Sequence, residues 1–393
     1  MKLKIAFLLA CITIGLHTYL TFHYYDLNFG IHSGTSICNL NSTFNCDTST
    51  ASSYSSLLGI PLALWGAVTN IILTIILGIW ILGWTLDPNR TGFFALLLAA
   101  TNVVASIVMG SISVLAIGSY CLFCMGTYAT GFVMFELIRR EHGSGLQNYK
   151  LYFGQMFNTG KIYLFSLLAI PALAFFINKS YVIQIGADQV DSMIRTSVAE
   201  WKNSSTMDLS NPEPLISKGP SNAKMTITEF ADFRCSHCAA ASHGLKAFTD
   251  SHPDIRMNFY VFALDGTCNE AIPQGDGISC FLAREVYCSE KLEKKGWAML
   301  ESVFSRQLQI NSAGTMAAAQ LEIDGILQKL KISIDQQKSC VDSADTQAAI
   351  RAQSHLGANV NIHGTPTIFI NNKKMERGQL LPVLEAVYKD LMK

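Results

Sequence analysis

Phe233-Arg234-Cys235-Ser236-His237-Cys238 decides the fold of the C-terminal half. Immediately upstream, Met225-Thr226-Ile227-Thr228-Glu229-Phe230 reads as a strand, and the cysteine pair then enters a helix. A helix N-terminus offers free N–H groups and the positive end of the dipole, so it favours a thiolate on the first cysteine. A protonated His237 between the two sulfurs adds to that. A low-pKa Cys235 is a good leaving group, and Cys238 is placed to resolve a mixed disulfide. The competing uses of such a pair are half a zinc site or a structural cystine. No second close pair with zinc spacing lies nearby in this half, so no metal is expected.

Around this stretch the composition is uneven. The 393 residues carry 29 basic and 29 acidic side chains, 15% charged residues and 50% hydrophobic ones. Residues 1–180 are mostly long apolar runs, and residues 181–393 hold most of the charge. That asymmetry predicts a membrane half and a soluble half. Zero net charge and the lack of a basic run argue against a nucleic-acid partner. Eleven cysteines, several outside the apolar runs, point to an oxidising compartment.

The apolar runs are 5–22, 57–84, 92–118, 120–138 and a shorter 161–178 with Pro171 near its middle. Crossing ~30 Å of hydrocarbon takes ~20 apolar residues at 1.5 Å each. Leu8-Leu9-Ala10-Cys11 resembles a lipoprotein cleavage box. The apolar stretch before Cys11 is short and continues past it, so an uncleaved first span is expected, with Cys11 as a packing residue. Basic residues set the orientation: Lys2 and Lys4, then Arg90, then Arg139, Arg140, Lys150 and Lys161 stay inside. Counting spans then puts the 23–56 loop, the turn near Ser119-Tyr120 and the soluble half on the outer side.

Two further cysteine pairs share that side. Cys38 and Cys46 lie in the first outer loop, and Cys121-Leu122-Phe123-Cys124 opens the fourth span. Taken singly, the first pair reads equally as a loop cystine, and the second as membrane packing or a metal site. Three pairs on one face favour a chain of dithiols passing two electrons by thiol–disulfide exchange.

Cys38 and Cys46, Ser52-Ser53-Tyr54, Gly59-Ile60-Pro61, and Cys121-x-x-Cys124 with Tyr128 four residues on together resemble the vitamin K epoxide reductase family. In particular the pattern resembles bacterial fusions in which that four-helix bundle is joined through a fifth span to a thioredoxin-like domain. The resemblance implies a quinone, ubiquinone or menaquinone, bound in the bundle. It implies that Cys124 lies nearest the quinone, that Cys121 exchanges with Cys46, and that Cys38 meets the soluble domain. It also implies Ser52 and Tyr128 as hydrogen-bond donors to quinone oxygens. Read bottom-up, Ser52 serves equally as a helix cap, or yields its place to Ser53, and Tyr128 serves equally as an interfacial anchor.

In the soluble half, 180–220 is polar and broken by Asn211-Pro212-Glu213-Pro214 and Lys218-Gly219-Pro220, a linker with a short amphipathic helix near 190–201. Strands follow at 224–230 and 255–263, then a mainly helical stretch at 277–356, a strand at 367–370 and a final helix carrying Leu380, Leu384, Val387 and Leu391. His363-Gly364-Thr365-Pro366 before that strand resembles the cis-proline loop of the thioredoxin superfamily. The helical insert is similar to the DsbA-like branch. The resemblance implies a cis Pro366, a Thr365 facing the dithiol and pairing its backbone with an extended substrate, and a substrate contact at His237. An ordinary trans proline opening an edge strand is the plain alternative. Ser236-His237 departs from the commonest DsbA dipeptide, which has proline first, and leaves the redox potential open.

Cys268, Cys280, Cys288 and Cys340 remain, and they read as structural disulfides pinning the insert. On one helix Cys280 and Cys288 are ~12 Å apart, too far to bridge. The pairing is then Cys268–Cys280 with Cys288–Cys340, or Cys268–Cys288 with Cys280–Cys340. The first is preferred because Cys268 and Cys280 flank one short loop.

The expected architecture is therefore a helical membrane bundle (1–142), a cytoplasmic loop and fifth span (143–180), a linker (181–220) and an α/β thioredoxin-like domain with a helical insert (221–393). The expected activity is that of a quinone-dependent thiol–disulfide oxidoreductase in a bacterial inner membrane, multi-pass, with its soluble domain on the periplasmic side. Its partners are reduced secreted or periplasmic proteins, a membrane quinone and the lipid bilayer. The rival readings are a disulfide isomerase or reductase, and a membrane-tethered thioredoxin fold that only binds partners.

Overall fold

The computed structural model describes residues 1–29, 36, 38, 44–85, 87–117, 119–143, 150, 151, 153, 154, 161–184 and 187–393. The chain divides into two compact units, Met1–Val190 and Asp191–Lys393.

The first unit is helical. Its elements are α1 (Lys2–Phe29), the short α2 (Cys46–Ala51), a small hairpin of β1 (Ser56–Leu57) and β2 (Ile60–Pro61), α3 (Leu62–Ile81), α4 (Pro88–Ile112), α5 (Leu122–His142) and α6 (Lys161–Gln184). Helices α1, α3, α4 and α5 close a ring, each packing on the next, and α6 lies against α3. The seam is filled by Leu73, Leu77, Phe94, Leu96, Leu98 and Met134. Asp87 caps α4 by accepting N–H bonds from Asn89 and Arg90, with Pro88 in the first turn. Connectivity puts the end of α1 and the starts of α2, α3 and α5 at one end of the ring. The opposite end is joined by an ion pair of Lys2 with Glu141 at 3.8 Å.

Four described helices are long and apolar enough to cross a membrane: Lys2–Asn28, Leu62–Ile81, Pro88–Ile117 and Phe165–Ile183. The helix expected as the fourth span, α5, is in place and packed in the ring but is not among them. Thr127, Tyr128, Thr130 and Glu136 dilute its apolar content. The fifth helix runs longer than the sequence suggested and continues through Pro171.

The second unit is built on a mixed five-stranded sheet in the order β3-β5-β4-β6-β7. Its strands are β3 (Ile216–Lys218), β4 (Thr226–Ala231), β5 (Arg256–Val261), β6 (Thr367–Ile370) and β7 (Lys373–Met375). Only β4 and β5 run parallel. Helix α7 (Ala187–Asn203) precedes the sheet, and α8 (Ser236–Ser251) joins β4 to β5. The insert follows as α9 (Ile278–Glu293), α10 (Gly296–Ser305), α11 (Gln307–Ala313), α12 (Met316–Leu330), α13 (Ile334–Val341) and α14 (Ala344–Asn359), and α15 (Leu381–Leu391) ends the chain.

The sheet is covered on both faces. The larger core joins Ala231 and Phe259 to Leu282, Val286 and Leu300 of the insert. The other face packs Phe230, Tyr260 and Phe369 against Leu356 and Leu209. This explains why β4 is buried at five of its six positions and shows no simple alternation.

The stretch read as a linker is largely part of this unit. Trp201 donates its indole N–H to Ile370 O at 2.9 Å, and the Met207 N–H bonds to Asn372 O at 2.8 Å. Ile216–Lys218 pairs antiparallel with β5. The Pro and Gly breakers in this stretch mark turns between short ordered pieces.

Candidate functional site

In the second unit Cys235 is the N-cap of α8, and its sulfur accepts the Cys238 N–H at 3.3 Å. The turn before it is fixed by Asp232, whose two carboxylate oxygens accept from Arg234 N at 2.7 Å and Leu264 N at 2.9 Å. Gln307, buried, donates to Phe233 O at 2.8 Å and Cys235 O at 2.9 Å. Arg234 bonds to Asn311 at 3.0 Å and to Asp276 at 2.7 Å. The insert thus holds the entry to the active-site helix.

Across from it, the Cys235 thiol reaches the Thr365 carbonyl oxygen at 3.4 Å, and the Thr365–Pro366 peptide bond is cis. His237 is exposed on the first turn of α8. Cys235 is half-buried, and Cys238 is 0% exposed.

The electrostatics separate the two sulfurs. A hydrogen bond from Cys238 above all, then Thr365 and two backbone N–H groups, pulls the Cys235 thiol down to about 6. Burial, the shared bond and the Glu229 charge push Cys238 well above the usual thiol range. One sulfur is an accessible thiolate and the other a buried reserve. Glu229, in the middle of β4, is 1% exposed, and its Oε1 has no hydrogen-bond partner among the described residues. Burial, with the Cys235 charge, raises its carboxyl to about 8. A carboxyl raised this far beside a buried thiol pair is suited to take the Cys238 proton in its ionised form and to return it in its neutral form. Sequence reading passed over Glu229 as a strand residue. An acid among apolar strand neighbours was the signal.

The four remaining cysteines of this unit pair as Cys268–Cys280 and Cys288–Cys340, each with Cα atoms 5.9 Å apart. Cys280 and Cys288 both lie on α9.

The first unit repeats the motif. Cys121 is the N-cap of α5, and its sulfur accepts the Cys124 N–H at 3.2 Å. The two form a disulfide, Cα–Cα 5.2 Å. Cys38 and Cys46 form another, Cα–Cα 5.9 Å, with Cys46 opening α2 behind an Asn45 cap. A backbone bond from Asn45 N to Tyr120 O at 2.9 Å ties the cysteine loop to the start of α5. As a result Cys38, Cys46 and Cys121 pack with Leu20, Tyr19, Phe123 and Cys124 in one cluster.

Beside that cluster, inside the ring, is a cavity of about 590 Å³ lined by Cys121, Cys124 and Tyr128. Such a volume suits a small cofactor. Its other polar groups include His17, whose Nδ1 is buried without a partner among the described residues, and Asn102, which donates to Asn70 at 3.1 Å. An apolar chamber with a few isolated polar groups fits a quinone ring and its carbonyls. Ser52 does not line the cavity. It caps the C-terminus of α2, and its hydroxyl donates to Ser49 O at 2.7 Å. Ser49, Thr50 and Ser55 line the cavity instead. The turn at the end of α2 buries Ser52 and leaves these neighbouring hydroxyls on the cavity wall.

Comparison with known proteins agrees with both halves. The model of the vitamin K epoxide reductase family matches residues 4–138, and a thioredoxin model matches residues 211–386. The chain carries a vitamin K epoxide reductase family domain followed by a thioredoxin-like domain. No curated protein matches it. Among solved structures it is similar to oxidised BdbD from Bacillus subtilis, with 17% identity over 48% of this chain and 98% of that one and a TM-score of 0.38. It is also similar to the thiol-disulfide exchange protein alpha-DsbA2 from Wolbachia pipientis, with 18% identity over 52% and 98% and a TM-score of 0.37. DsbA2 from Pseudomonas aeruginosa shows 21% identity over 46% and 98%, with a TM-score of 0.35. The two domains place the chain among thiol–disulfide oxidoreductases, and its apolar helices mark it as a membrane protein.

Proposed function

We propose that the chain is a membrane thiol oxidase that makes disulfide bonds in secreted proteins and delivers the electrons to a membrane quinone. The observation that carries this reading is the packing of Cys38, Cys46, Cys121 and Cys124 in one cluster at the wall of a quinone-sized cavity. The two disulfides share one packed cluster, the neighbourhood that exchange between them requires.

A substrate thiolate attacks Cys235 of the Cys235–Cys238 disulfide, and a second substrate thiol resolves the adduct, leaving both cysteines reduced. Thr365 and His237 border that sulfur and form the contact for an extended substrate, beside Pro366. The Cys235 thiolate then attacks Cys38, and Cys46 leaves. Cys238 attacks Cys235, closing that disulfide and releasing Cys38. Cys46 attacks Cys121, Cys38 resolves the adduct at Cys46, and the Cys121/Cys124 dithiol is left reduced beside the cavity. Each attack forms one S–S bond and breaks one, and two electrons pass with each disulfide reduced. A bound quinone supplies the final acceptor of two electrons and two protons. Tyr128, His17 and the hydroxyls of Ser49, Thr50 and Ser55 would hold it.

The stabilised Cys235 thiolate supports the oxidising direction over isomerisation, since stabilising the reduced form makes the disulfide a stronger oxidant. The basic residues at the Lys2 and Arg139-Arg140 end support placing the cysteine end, and the second unit, on the periplasmic side of a bacterial inner membrane.

Full-length protein in lipid nanodiscs, given a reduced dithiol peptide and a short-chain ubiquinone or menaquinone, should form one peptide disulfide per quinone reduced. Peptide oxidation that continues without quinone reduction contradicts the assignment.

A further inference from the structure

We propose that Ser36 is a catalytic hydrogen-bond donor to the Cys38 sulfur, held in place by Tyr19, and that the pair makes Cys38 a fast leaving group. This rests on the relay reading above. The Ser36 hydroxyl oxygen lies 3.0 Å from Cys38 Sγ, and the Tyr19 hydroxyl lies 2.9 Å from Ser36. Distance alone leaves the direction of both bonds open. Chemistry fixes it, because Cys38 is disulfide-bonded and its sulfur carries no hydrogen. Ser36 must donate to the sulfur, its own proton is then committed, and Tyr19 must donate to Ser36. The chain runs Tyr19 O–H to Ser36 O–H to Cys38 Sγ.

Ser36 and Cys38 are buried and Tyr19 is partly buried. Ser36 is 8% exposed and Cys38 is 0% exposed. Tyr19 sits on α1 with its ring edge-on to Phe123, between Cys121 and Cys124, at 5.0 Å. That contact ties its ring to the neighbouring cysteine station.

The donor matters at one step. When Cys238 attacks Cys235 in the Cys235–Cys38 adduct, the Cys235–Cys238 bond forms and the Cys235–Cys38 bond breaks. The bonding pair stays on Cys38 as a thiolate, and the Cys238 proton passes to the Glu229 carboxylate or to water. A hydrogen bond to a developing anion is stronger than one to a neutral disulfide sulfur, so Ser36 stabilises the departing thiolate more than the adduct. A buried thiolate without that donor leaves more slowly.

The test follows the adduct in the full chain in nanodiscs, without quinone. A stoichiometric reduced peptide starts one turnover, acid stops it, and mass spectrometry counts the Cys235–Cys38 linked peptides. The adduct should persist about tenfold longer in Ser36→Ala, as expected for losing one hydrogen bond to an anion. Ser36→Thr keeps a hydroxyl and should restore the parent lifetime. Tyr19→Phe keeps the ring on Phe123, leaves the cysteine loop unaltered, and should lengthen the lifetime by a few-fold. Parent-like lifetimes in both Ser36→Ala and Tyr19→Phe overturn the donor role and leave the relay standing. No adduct in the parent itself overturns the relay and the role together.

Discussion

Cys124→Ala should stop quinone reduction while leaving a single burst of substrate oxidation. The sulfur at Cys124 lines the cavity and is bonded to Cys121, whose own position is set by capping α5. Without Cys124 the Cys121 sulfur is a lone thiol with no S–S bond to break, so electrons reach Cys38/Cys46 and go no further. Loss of a covalent participant of this kind costs on the order of a thousandfold or more in turnover. The stored Cys38–Cys46 disulfide is untouched by the substitution and still oxidises about one equivalent of dithiol peptide. The measurement is quinone absorbance followed beside peptide disulfide in the nanodisc assay. Quinone turnover at the parent rate in Cys124→Ala contradicts the assignment of the terminal station.

The second large effect is a pH dependence confined to the second unit. Alkylation of Cys235 in the reduced protein should rise with pH around a midpoint near 6, where an unperturbed thiol has 9.0. The leading cause is the hydrogen bond from Cys238, so Cys238→Ala should move the midpoint upward. The sign carries over to stability. The folded thiol lies below its unfolded value, so the reduced fold gains stability above the unfolded value and loses it as pH falls through 6. The reduced second unit should therefore melt above its Cys235–Cys238 disulfide form at neutral pH, and the gap should close below pH 6. An alkylation midpoint near 9 in the parent protein would remove the basis for an oxidising disulfide at this site.

The parts of this picture legible in the sequence were those written in local pattern. Cys235-Ser236-His237-Cys238 and Cys121-Leu122-Phe123-Cys124 each announce a sulfur at a helix start, and each first cysteine does cap its helix. Thr365-Pro366 lies against Cys235, as the position of the dipeptide before a strand suggested. What escaped was set by tertiary contact. Glu229 reads only as one residue of a strand until both faces of β4 are seen to be covered. Ile216–Lys218 is three residues long, too short to show a period, and its strand character comes from pairing with β5. Ser52 comes from the resemblance, with Ser53 as its alternative, and only the turn after α2 shows that Ser49, Thr50 and Ser55 line the cavity. His17 and Asn102 were within reach of sequence reading. Polar side chains inside apolar helices are costly and point to a cavity or a partner. Tyr19 and Ser36 were not, because their contact joins residues 17 apart in the chain that no local pattern links.

Replacing Cys238 by alanine in the otherwise complete chain removes the group that resolves the adduct, so any exchange between Cys235 and the membrane unit is held at its first covalent step. Non-reducing digestion and mass spectrometry then read every cysteine at once. The relay predicts a Cys235–Cys38 linked peptide together with a free, labelled Cys46. An intact Cys38–Cys46 disulfide with Cys235 free, or Cys235 linked to any other cysteine of the chain, would contradict it.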